Sequence, residues 1–314
     1  MTKLRSWADL VRLPNVFTVL ADVAAAFLLV AGGPMPWPRF VAVLIAGVAL
    51  YWTGMILNDV HDVEIDRRER PHRPLPSGRV SVGAAKAAAW GLSLVAFAAA
   101  FVAGTAPAAD PVPAGTMLPV VLTLGLVVAI RLYNSDAKAS AFGPPLMGAC
   151  RFGSFLLGAS PHYASFGDVP PVVWTFALAM GLYITGLTSI GRREAVGGDR
   201  TSINVGSLVT LIGLALLAFA PRTLVVGDDI DAKVDPRLMF PLAIAVIGYP
   251  LVLRIIRTAR EPTPANVPAT IKAGILAIIP LVGAIAVLGG GPWGVGVFAL
   301  MIPGYATAIR GRVT

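Results

Sequence analysis

The residues of this chain best suited to chemistry lie between positions 58 and 66, in Asn58-Asp59-Val60-His61-Asp62-Val63-Glu64-Ile65-Asp66, and a basic run from Arg67 to Arg79 follows. On one α-helix, at about 100° per residue, Asp59, Asp62 and Asp66 fall within an arc of roughly 60°, with Asn58 on its border. Three carboxylates on one face repel one another, and packing gives no reason to place them there. A divalent cation removes that repulsion. Mg²⁺ is usually held by one or two carboxylates together with substrate phosphates. Asp59, Asp62 and Asp66 are therefore the candidate catalytic and metal-holding residues. The plainer reading is a solvated helix end whose acids pair with Arg67, Arg68 and Arg70. The stripe directly follows an apolar run ending at Leu57, and that position favours the metal.

A second polar loop, Gly191-Arg192-Arg193-Glu194-Ala195-Val196-Gly197-Gly198-Asp199-Arg200, has three open readings. Glu194 or Asp199 adds a weaker metal contribution, Arg192 and Arg193 touch phosphate, or the arginines reflect only the bias of basic residues to one membrane face. Within the apolar runs, ionisable groups are costly and so mark candidate function. Asn15 and Asp22 are seven residues apart on one helical face, and Arg151 is the one strongly basic group placed well inside a span rather than near its end. An Asp22–Arg151 pair would lower the penalty for both, and lining a polar acceptor pocket is the alternative. Lys138 is placed to bind phosphate as a point charge.

The elements that must position these groups are membrane helices. Of the 314 residues, 56% are hydrophobic and 13% charged, against about 25% charged in soluble domains, and the mean hydropathy is +0.76. One cysteine, Cys150, excludes an internal disulfide framework. The net charge of +8 does not indicate nucleic acid, because the basic residues flank apolar runs. Those runs fall at about 16–32, 39–57, 83–104, 117–133, 145–159, 172–190, 203–220, 238–256, 270–288 and 292–309, near the ~20 residues needed to cross a bilayer. With the N-terminus cytoplasmic and the runs alternating, the cytoplasmic side receives most Lys and Arg. The other side keeps Arg39, Arg222, Lys233 and Arg237. The expectation is an all-α bundle of nine or ten spans in the plasma or inner membrane. The acids Asp228, Asp229, Asp231 and Asp235 then belong to a solvated external loop. Leu50-Tyr51-Trp52-Thr53-Gly54 and Leu182-Tyr183-Ile184-Thr185-Gly186 repeat at an offset of 132 residues and suggest pseudo-repeat halves, about 1–135 and 136–314, in one domain.

Asn58-Asp59-x-x-Asp62-x-x-x-Asp66 followed by Arg73-Pro74-Leu75-Pro76-Ser77-Gly78-x-x-Ser81 resembles the first aspartate-rich signature of the UbiA superfamily of intramembrane prenyltransferases. Arg12-Leu13-Pro14-Asn15 is similar to the family's approach to its first span, and Tyr133 to Lys138 and the Gly148–Arg151–Gly158 region are similar to weaker features. The second signature, another Asp-x-x-x-Asp set, is departed from, since Gly191 and Gly198 stand opposite Asp59 and Asp66. Gly191-Arg192-Arg193-Glu194-Ala195 is similar to an EboC-like subgroup. The resemblance implies a central cavity under a cytoplasmic cap and Mg²⁺-dependent transfer of an isoprenyl group from its diphosphate to a small or aromatic acceptor. It further implies Mg²⁺ on Asp59, Asp62 and Asp66 with help from Asn58. Arg73 or Lys138 would then lie on the phosphates, and the acceptor near Asn15, Asp22 and Arg151. The bilayer, the prenyl diphosphate donor and an unidentified acceptor are the implied partners.

Three other functions fit parts of the sequence. Phosphoribosyl transfer to a polyprenyl phosphate is a related family reaction. The repeat and Asp22 suit a transporter, although most ionisable groups lie at one face rather than at mid-membrane. The degenerate second loop suits a non-catalytic family member.

Overall fold

The computed structural model describes residues 3–109, 112–192, 199–223 and 236–304. Arg193, Glu194 and the acids from Asp228 to Asp235 lie outside the described residues. The chain is built from helices α1 (Lys3–Leu10), α2 (Val16–Ala31), α3 (Trp37–His61), α4 (Val63–Glu69), α5 (Val82–Thr105) and α6 (Leu118–Tyr133). They are followed by α7 (Gly143–Ala159), α8 (Pro171–Ile190), α9 (Arg200–Phe219), α10 (Pro236–Arg260), α11 (Asn266–Gly290) and α12 (Pro292–Phe298). Each of the first nine apolar runs coincides with one helix, and the described part of the tenth holds α12. Among the described residues, seven helical segments, those of α2, α3, α5, α8, α9, α10 and α11, are long and apolar enough to cross a membrane. The shorter α6, α7 and α12 complete the bundle.

Local chemistry sets the helix ends. Proline in the first turn starts α3, α6, α7 and α8, where its missing N–H would have had no intrahelical partner. Ser81 caps α5 by accepting from the Ala84 N–H at 3.2 Å. Inside the bundle, glycine permits close crossings in the way small residues do between membrane helices. A Cβ at Gly186 would lie 2.2 Å from Thr210 Oγ1 and 2.5 Å from the Gly206 carbonyl oxygen, so α8 and α9 meet backbone to backbone. A Cβ at Gly158 would lie 2.4 Å from the Val23 carbonyl oxygen, which fixes α7 against α2.

Phe155, Phe176 and Met180, fully buried, centre one packed cluster around α2, α7, α8 and α11. A second cluster joins α2, α3, α5 and α6 through Phe27, Val43 and Ala100. The outer faces remain apolar, with Leu94 69% and Val246 75% exposed. A water-soluble surface would not present these residues, and a hydrocarbon solvent accepts them.

At the end of α3 away from the aspartates, Arg39 is completely buried. Its guanidinium donates to the carbonyl oxygens of Ala106 (2.8 Å), Pro161 (2.9 Å), Pro113 (2.8 Å) and Ala114 (3.2 Å). One charge thereby ties together the segments that follow α5 and α7.

The helix expected across 58–66 is interrupted. α3 stops at His61, Asp62 has φ −82° and ψ 1°, and α4 resumes at Val63. The Asp62 N–H still reaches the Asn58 carbonyl at 3.0 Å, and the Asp66 N–H reaches that of Asp62 at 2.8 Å. The break is thus a bend in a nearly continuous ladder.

Candidate active site

The bend divides the acidic stripe into two groups. Asp59 and Asp66 are buried and flank the same Arg73 nitrogen, Nη1, at 3.7 and 2.8 Å. Asp59 also receives Arg12 Nη2 at 3.2 Å. Asp62 turns the other way, to Lys138, whose ammonium also donates to Asn58 Oδ1 at 2.8 Å. Asn58 Nδ2 in turn donates to Asp62 at 3.4 Å. The basic neighbours on the sequence, Arg67, Arg68 and Arg70, are not the partners of these three acids; Arg67 pairs with Glu64 instead.

Among the described residues no three His, Cys, Asp or Glu side chains gather as a metal cluster. The donor chemistry nevertheless suits Mg²⁺. Asp59 and Asp66 present oxygen ligands to one point, and a cationic nitrogen of Arg73 occupies that point. Two carboxylates with phosphate oxygens make an adequate Mg²⁺ set.

Arg12 is the residue whose place beside Asp59 the sequence did not reveal, since it was read as a cytoplasmic charge and as part of the approach to the first span. Its backbone is left-handed, with φ 47° and ψ 55°, at the turn before α2. A non-glycine residue there is strained by roughly 1 kcal/mol or more, and the turn aims the side chain back at α3. The Arg12 carbonyl accepts from Tyr51 Oη at 3.4 Å. Its sequence signal was Pro14, two residues on, which fixes the turn into the first span.

Arg12, which pairs with Asp59, and Asn58, which bonds to Asp62, border a cavity of about 410 Å³ between α2, α3, α6, α7, α8 and α11. Arg12, Asn15, Tyr51, Asn58, Tyr133 and Arg151 contribute its polar atoms, whereas Val19, Leu126, Leu157, Ile275 and Ile278 make apolar wall. The Asp22–Arg151 pair forms at 3.2 Å. Asp22 is completely buried behind the wall, while Arg151 lines the cavity and donates to the Thr18 carbonyl at 3.3 Å. The two readings of these residues therefore combine in Arg151.

The second loop is described only at its ends. Arg192 donates to the Ala139 carbonyl at 3.2 Å and so reaches the turn that carries Lys138. Asp199 accepts from the N–H groups of Thr201 and Ser202 at 3.3 and 3.2 Å and caps α9. Gly191 borders the cavity.

The sequence profile of the UbiA prenyltransferase family matches residues 19–226. A digeranylgeranylglyceryl phosphate synthase from Methanoculleus marisnigri is 28% identical over 289 residues, covering 86% of this chain and 95% of that protein. The apo structure of a UbiA homolog from Aeropyrum pernix K1 superposes with a TM-score of 0.63 at 18% identity, covering 87% of this chain and 97% of that one. A UbiA homolog from Archaeoglobus fulgidus bound to GPP and Mg²⁺ gives 0.59 at 13% identity, covering 87% and 99%. An acidic signature beside an apolar cavity, inside a helical bundle that the family profile spans for most of its length, leaves one assignment: the chain belongs to the UbiA prenyltransferase family and is a membrane prenyltransferase.

Proposed function

We propose that this enzyme transfers a prenyl group from its diphosphate to a hydroxyl of a glyceryl phosphate that already carries one chain. The carrying observation is the convergence of Asp59 and Asp66 on one cation position, joined through Arg12, the partner of Asp59, to a largely apolar cavity that Arg12 lines. The acceptor class comes from the relatives, which are digeranylgeranylglyceryl phosphate synthases. It replaces the broader expectation of a small or aromatic acceptor, and we prefer it to an EboC-like assignment. The family's GPP- and Mg²⁺-bound neighbour supports the donor and the metal.

In this reading Asp59 and Asp66 hold Mg²⁺, with Asp62 and Asn58 beside them and Glu194 supplied from the second loop. Asp199 ranks behind Glu194, because a metal role requires it to leave the start of α9. When bound there, Mg²⁺ would supply charge neutralisation to the diphosphate leaving group. Arg12, Arg73 and Lys138, which now rest on carboxylates, turn to the phosphates. Arg192, which reaches the turn carrying Lys138, and Arg193, which lies outside the described residues, are further candidates for the phosphates. The C1–O bond breaks, the diphosphate departs and, as the acceptor's hydroxyl proton passes to the departing diphosphate, the acceptor oxygen bonds to C1 within the cavity. Its apolar wall keeps water from the developing allylic cation. Asn15 and Arg151 orient the acceptor, and Asp22 holds Arg151 in place.

The same reading makes α6 and α7 short spans beside the seven long ones, giving nine, with the acidic stripe and the N-terminus cytoplasmic in the cell membrane. The residues that would finish a tenth crossing, 305–309, lie outside the described part. Pseudo-repeat halves are supported by Tyr51 and Tyr183, whose hydroxyls each donate to the backbone of another segment, at Arg12 and Gly274.

The test is to supply purified enzyme in liposomes with geranylgeranyl diphosphate, Mg²⁺ and, in parallel, a monoprenyl glyceryl phosphate, a phenolic acid or a polyprenyl phosphate with phosphoribosyl diphosphate. Product from the first acceptor alone is the expected result. Product from either of the others, with none from the first, would refute the acceptor assignment.

A further inference from the structure

Next to the main cavity, between the C-terminal ends of α3 and α6, lies a second pocket, about 230 Å³, lined by Leu57, Val60, His61, Arg131 and Asn134. We propose that it binds the phosphate of a lipid headgroup, with Arg131 as the principal ligand and His61 beside it.

Four observations carry this site. The Arg131 guanidinium lies over the Trp90 ring, its carbon 3.9 Å from the centroid, so the side chain is held in place by a cation–π contact. Among the described residues nothing accepts from its N–H groups and no carboxylate pairs with it. A pre-positioned fork of five unused donors matches the oxygens of a phosphate. No acid lines the pocket to repel an anion, and Lys86, exposed one turn before Trp90 on the same face of α5, adds positive charge.

Asn134 lines both this pocket and the main cavity. Its Oδ1 is buried without a partner, while its Nδ2 donates to the Ile130 carbonyl at 2.9 Å.

The surface leading away from the pocket is apolar. Leu124 and Val128 fall in line with Arg131 on α6, and Leu94 and Phe101 fall in line with Trp90 on α5, at helical spacings that share a face. All four are exposed. A phosphate at Arg131 would therefore head hydrocarbon chains running down the α5 and α6 faces. The geometry thus selects an amphiphile. It has two possible sources: a bilayer phospholipid resident beside the enzyme, or the glyceryl phosphate acceptor waiting outside the cavity behind Asn134. Only the acceptor source rests on the function proposed above.

The experiment uses the full chain in phosphatidylcholine nanodiscs without donor or Mg²⁺, so it reads binding whether or not transfer occurs. Wild type, Arg131→Gln and Trp90→Leu are titrated with phosphatidylglycerol and, separately, with a monoprenyl glyceryl phosphate, and bound lipid is counted by native mass spectrometry. Arg131→Gln should weaken retention of at least one probe by roughly tenfold. Trp90→Leu, which leaves the arginine present but unclamped, should weaken it less. Loss of phosphatidylglycerol binding alone assigns a bilayer lipid, and loss of the glyceryl phosphate alone assigns the acceptor. Equal retention of both probes by wild type and both variants overturns the site.

Discussion

Arg73 Nη1 stands between Asp59 and Asp66, and the Lys138 ammonium stands on Asp62, so each acid of the stripe is matched by a cation that phosphate would also attract. Lys138→Ala should raise the donor KM by about tenfold, with a smaller change in kcat, as expected for a lost charge-assisted contact. Initial rates against donor concentration read this directly; an unchanged KM would remove Lys138 from the phosphate site. The Asp22–Arg151 pair permits a cleaner separation of structure from catalysis. Asp22→Asn leaves a buried guanidinium without its counter-charge, a change that typically costs about 3–5 kcal/mol, and should lower the Tm. Arg151→Met with Asp22→Asn should recover much of that stability and still be impaired, because Arg151 alone of the two faces the cavity. Full activity in the double variant would make the pair purely structural.

At the scale of elements, α8 and α9 depend on glycine and the far-side segments depend on Arg39. Gly186→Val drives a side chain into Thr210 and the Gly206 carbonyl, and overpacking of this kind costs about 1–3 kcal/mol; a lower Tm and a loosened α8–α9 contact in cysteine cross-linking are expected. The sequence made the helices legible because apolar runs of bilayer length punctuated by glycine and proline have few alternatives. It did not reveal the bend at Asp62, since helical periodicity assumes the helix continues, and this bend is what separates Asp62 from Asp59 and Asp66. The partners of the acids were also hidden: Arg12 and Lys138 arrive from other segments, and only the three-dimensional path of the turns around Pro14 and Asp136–Ala139 brings them in. Asn58, Arg73 and the three aspartates were legible as a local motif. Arg39 was counted as an external charge, and nothing in its neighbours announced a fully buried hub.

Across the whole molecule, the two ends of the bundle have different chemistry. One end holds the acids and their cations. The other holds Arg39 and His162, whose imidazole packs 4.4 Å from the Phe27 ring. Burial pushes His162 from its ordinary 6.5 down to about 4, so on acidification the unfolded chain takes up this proton first. Its contribution to stability is complete above pH 6.5 and is lost as the pH falls from there toward 4. The Tm should drop over that interval, and His162→Phe should flatten the drop. The central claim concerns the opposite end, where Asp59 and Asp66 make one cation position joined through Arg12 to a largely apolar cavity. Its most direct test is calorimetric titration of geranylgeranyl diphosphate into the enzyme, with and without Mg²⁺, for wild type and for Asp59→Asn with Asp66→Asn. The account predicts Mg²⁺-dependent binding in wild type and a loss of at least about thirtyfold in the variant, as for removal of two metal-ligating charges. Equally tight binding without Mg²⁺, or undiminished binding by the variant, would contradict it.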